Sequence, residues 1–347
     1  MTDFLGNAFP GIAGSLPRIA IATLPTPVSR HCTQIYRDSR MVYVKHDDQT
    51  SPLYGGNKVR KLEYILGRAL DRGAKRVATF GAAGSNHALA TAIHANQVGL
   101  ACTCFLSNQR STPKVPVTLA KHAEIGTEIV SYRRAPSKVH LFRKFLQHRD
   151  AWAVPLGGTC WYGALGFVNA ALELAAQIEA GELECPSRIY VANGTMGTAT
   201  GLALGLALVE LPCDLHVVRV AATDYANSDR LQHMLEKTAA LMHRLDASVP
   251  ADLASGVRVT WRDGFFAGGY AHYDEATLNA VGFAAEQLDL SLETTYTGKA
   301  MAALIQDAAT HDAPVLFWNT YNSVPLEMPD DFCARDVPKE FRRYFDY

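Results

Sequence analysis

Apolar positions along this chain follow two alternating rhythms. Short runs rich in Val, Ile and aromatic residues alternate with longer stretches whose apolar residues recur three and four apart. The first rhythm predicts strands at Met41–Lys45, Arg76–Phe80, Leu100–Leu106, Glu128–Tyr132, Trp152–Pro155, Arg188–Ala192, Leu215–Val220, Val257–Arg262 and Pro314–Trp318. The second predicts a helix after Asn57, with the stripe Leu62, Ile65, Leu66, Ala69 and Leu70, ended by Gly73. Further helices are expected from the Gly81–His87 loop to about Gln97, at Val117–Glu124, near Ser137–Gln147, and at Ala164–Ala180. Others follow at Leu202–Glu210, Ser228–Leu245, Glu275–Leu288, and from the turn Tyr296-Thr297-Gly298-Lys299 to Thr310. Residues 1–30, with Pro10, Pro17, Pro25 and Pro27, read as an extended lead-in, and the tail after Pro329 fits no element. Strand–helix alternation of this length predicts an α/β fold with mostly parallel, doubly wound sheets. Ligands then gather at the carboxyl ends of the strands.

Several turns in this pattern carry polar residues suited to chemistry. In Gly55-Gly56-Asn57-Lys58-Val59-Arg60-Lys61-Leu62-Glu63-Tyr64, two glycines and an Asn break regular structure, Asn57 can cap, and a helix begins at once. Lys58 and Lys61, three apart, share the face of its first turn. A helix N-terminus favours anions, so lysines there point to a bound anion or to a lysine with a depressed pKa. A solvated basic turn is the plainer alternative. The turn Gly194-Thr195-Met196-Gly197-Thr198 combines glycines, which allow close backbone approach, with threonine hydroxyls ahead of a helix. It is a candidate phosphate cradle, although it matches neither the P-loop nor the dinucleotide fingerprint. Gly84-Ser85-Asn86-His87 also opens a helix, where Ser and Asn would serve simply as caps.

Composition narrows the class. The 347 residues leave room for two lobes, each with a core. A net charge of −1 gives no footprint for nucleic acid. Asp3 and the lack of a long apolar run near the start argue against a signal peptide. Leu202–Leu211, interrupted by Gly205 and Glu210, is too short to span a bilayer. Seven cysteines, odd in number and scattered, read as reduced thiols in a cytoplasmic protein. The twelve histidines form no ligand motif, so no metal site is expected.

The string Gly-Gly-Asn-Lys-x-Arg-Lys-Leu-Glu-Tyr closely resembles the cofactor-lysine segment of the D-cysteine desulfhydrase and 1-aminocyclopropane-1-carboxylate (ACC) deaminase family. These are pyridoxal 5'-phosphate (PLP) enzymes of fold type II, the tryptophan-synthase-β-like fold. The resemblance continues through Gly157-Gly158-Thr159 and Gly163-Ala164-Leu165-Gly166-Phe167-Val168, whose glycines close helix packing would also explain. It implies Lys58 as the PLP-bearing lysine and Gly194, Thr195, Met196, Gly197 and Thr198 as the phosphate loop, with Lys61 as cationic partner. Asn86 would meet the cofactor's phenolic oxygen and Ser85 the substrate. His87 matches the desulfhydrase branch better than the deaminase branch, which favours Gln. Tyr270, after Phe266-Ala267-Gly268-Gly269, and Tyr296, before Gly298-Lys299, would face substrate or cofactor. Thr297 stands where the deaminase has Glu, and Thr320 matches the Thr near the pyridine nitrogen. Tyr321-Asn322 replaces the family's Gly-Gly, and Gly81-Ala82-Ala83-Gly84 departs from its usual Gly-Ala/Gly-Ile-Gln.

The resemblance implies two lobes with the cofactor between them: 1–61 with 163–347 as the large PLP-binding domain, and 62–162 as the small one. Each would be a twisted, mostly parallel sheet flanked by helices. It further implies a homodimer and a lyase expelling a Cβ substituent from D-cysteine or a related amino acid. ACC deaminase, a sulfo-lyase, a racemase and a non-catalytic PLP-binding paralogue are the alternatives.

Overall fold

A computed structural model describes residues 3–35, 38–132 and 150–345. The helix expected near Ser137–Gln147 lies outside them. Among the described residues ten strands form two sheets: β1 (Val28–Ile35), β2 (Asp38–His46), β3 (Arg76–Ala82), β4 (Ala101–Ser107), β5 (Glu128–Tyr132), β6 (Ala151–Ala153), β7 (Arg188–Asn193), β8 (Asp214–Arg219), β9 (Val259–Arg262) and β10 (Val315–Asn319). The chain divides into two compact units. One comprises residues 1–64 and 159–323, and the other residues 65–158 and 324–347.

The first unit is built on a six-stranded sheet in the order β1-β2-β10-β7-β8-β9. Only the β1–β2 pair is antiparallel. The middles of β7 and β10, Ile189–Ala192 and Val315–Trp318, are continuous apolar runs because helices cover both faces. In β10, Leu316 and Trp318 enter the core beneath the helices Trp161–Glu179, Gly197–Leu208 and Ser228–Leu245, while Val315 and Phe317 enter the opposite core beneath Glu275–Leu288 and Thr297–Ala308. β7 repeats the alternation with Ile189 and Val191 on one side and Tyr190 and Ala192 on the other. The first turn of the helix Lys58–Asp71 leans on helix Trp161–Glu179: a Cβ on Gly166 would lie 2.1 Å from the Arg60 carbonyl oxygen, so this glycine serves close packing.

A buried ionic cluster fixes this turn. Arg60 Nη2 donates to Asp47 Oδ1 at 2.7 Å and to Glu173 Oε1 at 2.9 Å, and Lys45 Nζ donates to Glu173 Oε1 at 2.5 Å. All four side chains are inaccessible to solvent. Burial alone would raise the Glu173 carboxyl, but Arg60 and Lys45 hold it down to about 2. Arg60 is therefore not part of a solvated basic turn.

The second unit holds a four-stranded parallel sheet, β5-β4-β3-β6. The tail belongs to this unit rather than to the larger one, as the sequence had implied. Its anchor is Tyr344, whose Oη accepts from Gln109 N and donates to Gln109 O, both at 2.8 Å.

Residues 1–30 depart from the expected extended lead-in. Asp3 caps a short helix, Phe4–Ala8, by accepting from Gly6 N, and Pro10 opens a second, Pro10–Ser15, at a position where its missing N–H costs nothing. Leu5 and Ile12 bury in the first unit's core, which supplies stability that five- and six-residue helices lack alone. β1 was also unforeseen: it is a polar edge strand, formed by pairing with β2.

Candidate active site

The helix Lys58–Asp71 starts as expected, and the Asn57 side chain ahead of it bridges two partners. Asn57 Oδ1 accepts from Lys58 Nζ at 2.7 Å, and Asn57 Nδ2 donates to Thr198 Oγ1 at 3.0 Å. The backbone is held separately, with Asn57 N donating to Thr320 O at 3.1 Å. One Asn thus joins the lysine turn to the Gly/Thr turn, and the Thr320 backbone lies alongside.

Burial lowers the Lys58 ammonium to about 8, against the opposing pull of Glu293. Lys61 is driven well below its ordinary value by burial and then by the neighbouring Lys58 charge. A buried amine of this kind regains its proton when a dianion arrives.

The surroundings of Lys61 fit such an anion. A Cβ on Gly197 would lie 3.1 Å from Lys61 Nζ and 3.1 Å from Thr159 Oγ1, so the glycine leaves room where an ammonium and a hydroxyl converge. Thr159 Oγ1 in turn donates to Thr195 Oγ1 at 2.8 Å. Met196 has φ +68, a left-handed conformation costing on the order of 1 kcal/mol for a non-glycine residue, and it turns the chain into helix Gly197–Leu208. That helix begins five residues before the expected Leu202, because Gly197, Thr198, Thr200 and Gly201 are weak helix formers that read as loop. Gly197 and Thr198 therefore stand in a helical first turn. Backbone N–H groups, threonine hydroxyls and an amine make a donor set suited to a phosphate group such as that of PLP.

Tyr296 precedes helix Thr297–Ala308, and its ring lies over Gly194, with Cε1 3.2 Å from an added Cβ there. Its hydroxyl donates to Tyr270 Oη at 3.2 Å, and the two rings meet edge to face. Burial, then Tyr270 and Glu293, push the Tyr296 phenol well above its usual value. Thr297 Oγ1 accepts from Glu293 N at 3.1 Å.

Two residues that sequence reasoning missed stand here. Glu293 accepts from the backbone N–H groups of Thr295, Tyr296 and Thr297 at 2.7 to 2.9 Å, and its charge acts on Lys58, Tyr270 and Lys299. The available signal was a lone Glu four residues before a helix start. Tyr54 is fully buried, and burial followed by Tyr321 and Glu293 raises its phenol. Burial and then Glu293 raise the Tyr321 phenol as well, so the bulky replacement for a glycine joins this set of phenols.

Ser85 and Asn86 belong to the second unit. Ser85 caps helix Asn86–Gln97, its Oγ accepting from Ala88 N at 3.2 Å. His87 is buried, with Nε2 2.8 Å from Thr79 Oγ1.

Among the described residues no His, Cys, Asp and Glu group could hold a metal, and no helix is long and apolar enough to cross a membrane. All seven cysteines are free thiols.

Parallel α/β sheets, a buried amine pair and a donor-lined strand-to-helix turn define an enzyme class that holds a phosphorylated cofactor. The chain belongs to the pyridoxal-phosphate dependent enzyme family, whose model matches residues 19–320. It is 32% identical over 317 residues to a D-cysteine desulfhydrase of Salmonella paratyphi A, covering 88% of this chain and 93% of that one. A D-cysteine desulfhydrase of Klebsiella pneumoniae is also 32% identical, over 332 residues and the same shares. A crystal structure of an ACC deaminase homologue superposes with a TM-score of 0.74 at 26% identity, covering 92% of this chain and 95% of that one. The family makes the chain PLP-dependent, and the expected fold type II is the fold found.

Proposed function

We propose that this chain is a carbon–sulfur lyase that converts D-cysteine, or a closely related β-substituted alanine, and water to pyruvate, ammonia and sulfide. The observation that carries this reading is the pair Lys58 and Lys61 at the Gly194–Thr198 turn, in a chain 32% identical to D-cysteine desulfhydrases. Lys58 is the residue to carry PLP. Lys61, Gly194, Thr195, Met196, Gly197 and Thr198 would receive the phosphate, and Thr297 and Thr320 are the hydroxyls assigned to the pyridine side. Asn86 and Ser85 are assigned to the phenolic oxygen and the substrate.

When bound, PLP supplies the electron sink for charge developing at the substrate Cα. Lys58 Nζ, whose pKa burial lowers toward the neutral range, takes the Cα proton. The Cβ–S bond then breaks with its electron pair on sulfur. Tyr296 donates to Tyr270 Oη, and Tyr270, whose phenol burial holds protonated, donates a hydrogen bond to that negative charge. Water then completes release of the keto acid and ammonia.

The test is a panel of D- and L-cysteine, other β-substituted alanines and ACC, assayed for keto acid and sulfide with the PLP-loaded protein. Keto acid and sulfide from D-cysteine support the reading. Loading without turnover of any substrate would favour a non-catalytic PLP-binding protein. The family resemblance supports a homodimer, and the seven free cysteines support a cytoplasmic location.

A further inference from the structure

The segment that follows β4 grips the Gly84-Ser85-Asn86 turn at two points. Gln109 Oε1 accepts from Gly84 N at 2.9 Å. A Cβ on Gly84 would lie 3.2 Å from Gln109 Nε2, so Gln109 fills the space beside a glycine where the family pattern has a Gln. The second grip is Lys114, whose Nζ donates to Asn86 Oδ1.

Lys114 is the first residue of helix Lys114–Glu124, whose first turn carries no acidic side chain. A cation there opposes the helix dipole, so helix stability does not account for the residue. Its bond to Asn86 carries information about orientation. An ammonium has donors only, whereas the Asn amide has an oxygen acceptor at one end and an NH2 donor at the other. Lys114 therefore settles which end of the amide it meets: Oδ1 faces the ammonium.

We propose that Lys114 is a positioning residue for Asn86, holding its Oδ1 so that the amide presents its Nδ2–H donors to the phenolic oxygen of PLP. This rests on the reading that Asn86 meets that oxygen. An amide flipped the other way would set Oδ1 against an electron-rich oxygen, which repels. Drawing electron density toward the Lys114 ammonium also makes the Nδ2–H groups better donors.

The test compares Lys114→Met, Lys114→Arg and Asn86→Ala with the parent protein. The readouts are the PLP dissociation constant, the pH midpoint of the visible absorbance change in the PLP-loaded protein, and the melting temperature of the PLP-free protein. In Lys114→Met the dissociation constant rises about tenfold, the expected scale for one charge-assisted contact. Its spectral midpoint moves up, because a cation and an aligned donor are lost beside the chromophore. Lys114→Arg, which also only donates, restores most of both. The PLP-free melting temperature of Lys114→Met stays level or rises, since a cation leaves a helix N-terminus. If Asn86→Ala moves the affinity and the midpoint but Lys114→Met moves neither, the positioning role is overturned and the Asn86 reading stands. If Asn86→Ala moves neither, both fall. A drop in PLP-free stability in Lys114→Met that matches its loss of affinity, and that Arg does not rescue, reduces Lys114 to a structural contact.

Discussion

Asn57 reaches Thr198 Oγ1 with its Nδ2 at 3.0 Å while its Oδ1 receives Lys58 Nζ at 2.7 Å. A single planar amide therefore sets the distance between the candidate cofactor lysine and the turn that would take the phosphate. The lysine reaches its site as one arm of a bridge anchored on Thr198.

On the proposed assignment, replacing Lys58 by Ala removes both the covalent anchor and the base. Turnover of D-cysteine should fall by at least ~10³-fold, since loss of a positioned base alone costs 10²–10⁴. The visible absorbance of the PLP-loaded parent should also disappear. Full activity and an unchanged spectrum in Lys58→Ala would show that another amine carries the cofactor.

The lowered pKa of Lys58 makes capture of PLP pH-dependent. The amine reacts only when unprotonated, so the rate at which PLP-free protein takes up PLP should rise as pH climbs through about 8 and level off above. Asn57→Asp puts a carboxylate beside the ammonium, and an opposite charge at that range raises a lysine pKa by about a unit or more. The midpoint of the uptake profile should shift upward accordingly. Stopped-flow absorbance at a series of pH values measures both profiles, and an identical midpoint in Asn57→Asp would refute the assignment of the profile to Lys58.

On the proposed assignment of Thr297 and Thr320 to the pyridine side, substrate preference follows from their hydroxyls. The position that is acidic in the deaminase is a threonine here, and a hydroxyl supports a weaker electron sink at the pyridine nitrogen than a carboxylate. Expelling a thiolate from Cβ requires less stabilisation than opening a cyclopropane. D-Cysteine should accordingly exceed ACC in kcat/KM by at least about tenfold, a difference of ~1.4 kcal/mol in barrier. Parallel assays of D-cysteine, L-cysteine and ACC decide it, and ACC as the best substrate would reverse the argument.

The buried cluster around Glu173 should dominate the acid stability of the first unit. The folded pKa of about 2 lies below the ordinary carboxylate value, so this stabilisation is fully present above the unfolded pKa of ~4.3 and is lost as pH falls toward 2. Glu173→Ala leaves Arg60 and Lys45 buried without this partner and should cost about 3–5 kcal/mol. Urea denaturation of parent and variant at neutral pH checks the size, and repetition at pH 3 should show a smaller gap. A variant as stable as the parent at both pH values would show that the cluster contributes no net stability.

The sequence by itself determined the alternation of strands and helices. Runs such as Ile189–Ala192 and Val315–Trp318 are apolar on both faces, helices such as Ser228–Leu245 on one, and that pattern depends only on neighbours along the chain. β5 and the helices Ser228–Leu245 and Glu275–Leu288 occupy the predicted bounds for this reason. The turn residues Lys58, Ser85 and Thr198 were legible too, because glycines and capping residues mark the turns locally. Tertiary structure decided what local pattern cannot encode. β1 is polar and becomes a strand only by hydrogen bonding to β2, and the helices Phe4–Ala8 and Pro10–Ser15 persist only because Leu5 and Ile12 find a core. Arg60 reads as a surface charge until Asp47 and Glu173, the latter more than a hundred positions away, close around it. Glu293 and Tyr54 carry no motif; their roles arise from fields acting through space, which depend on distances that only the folded chain sets.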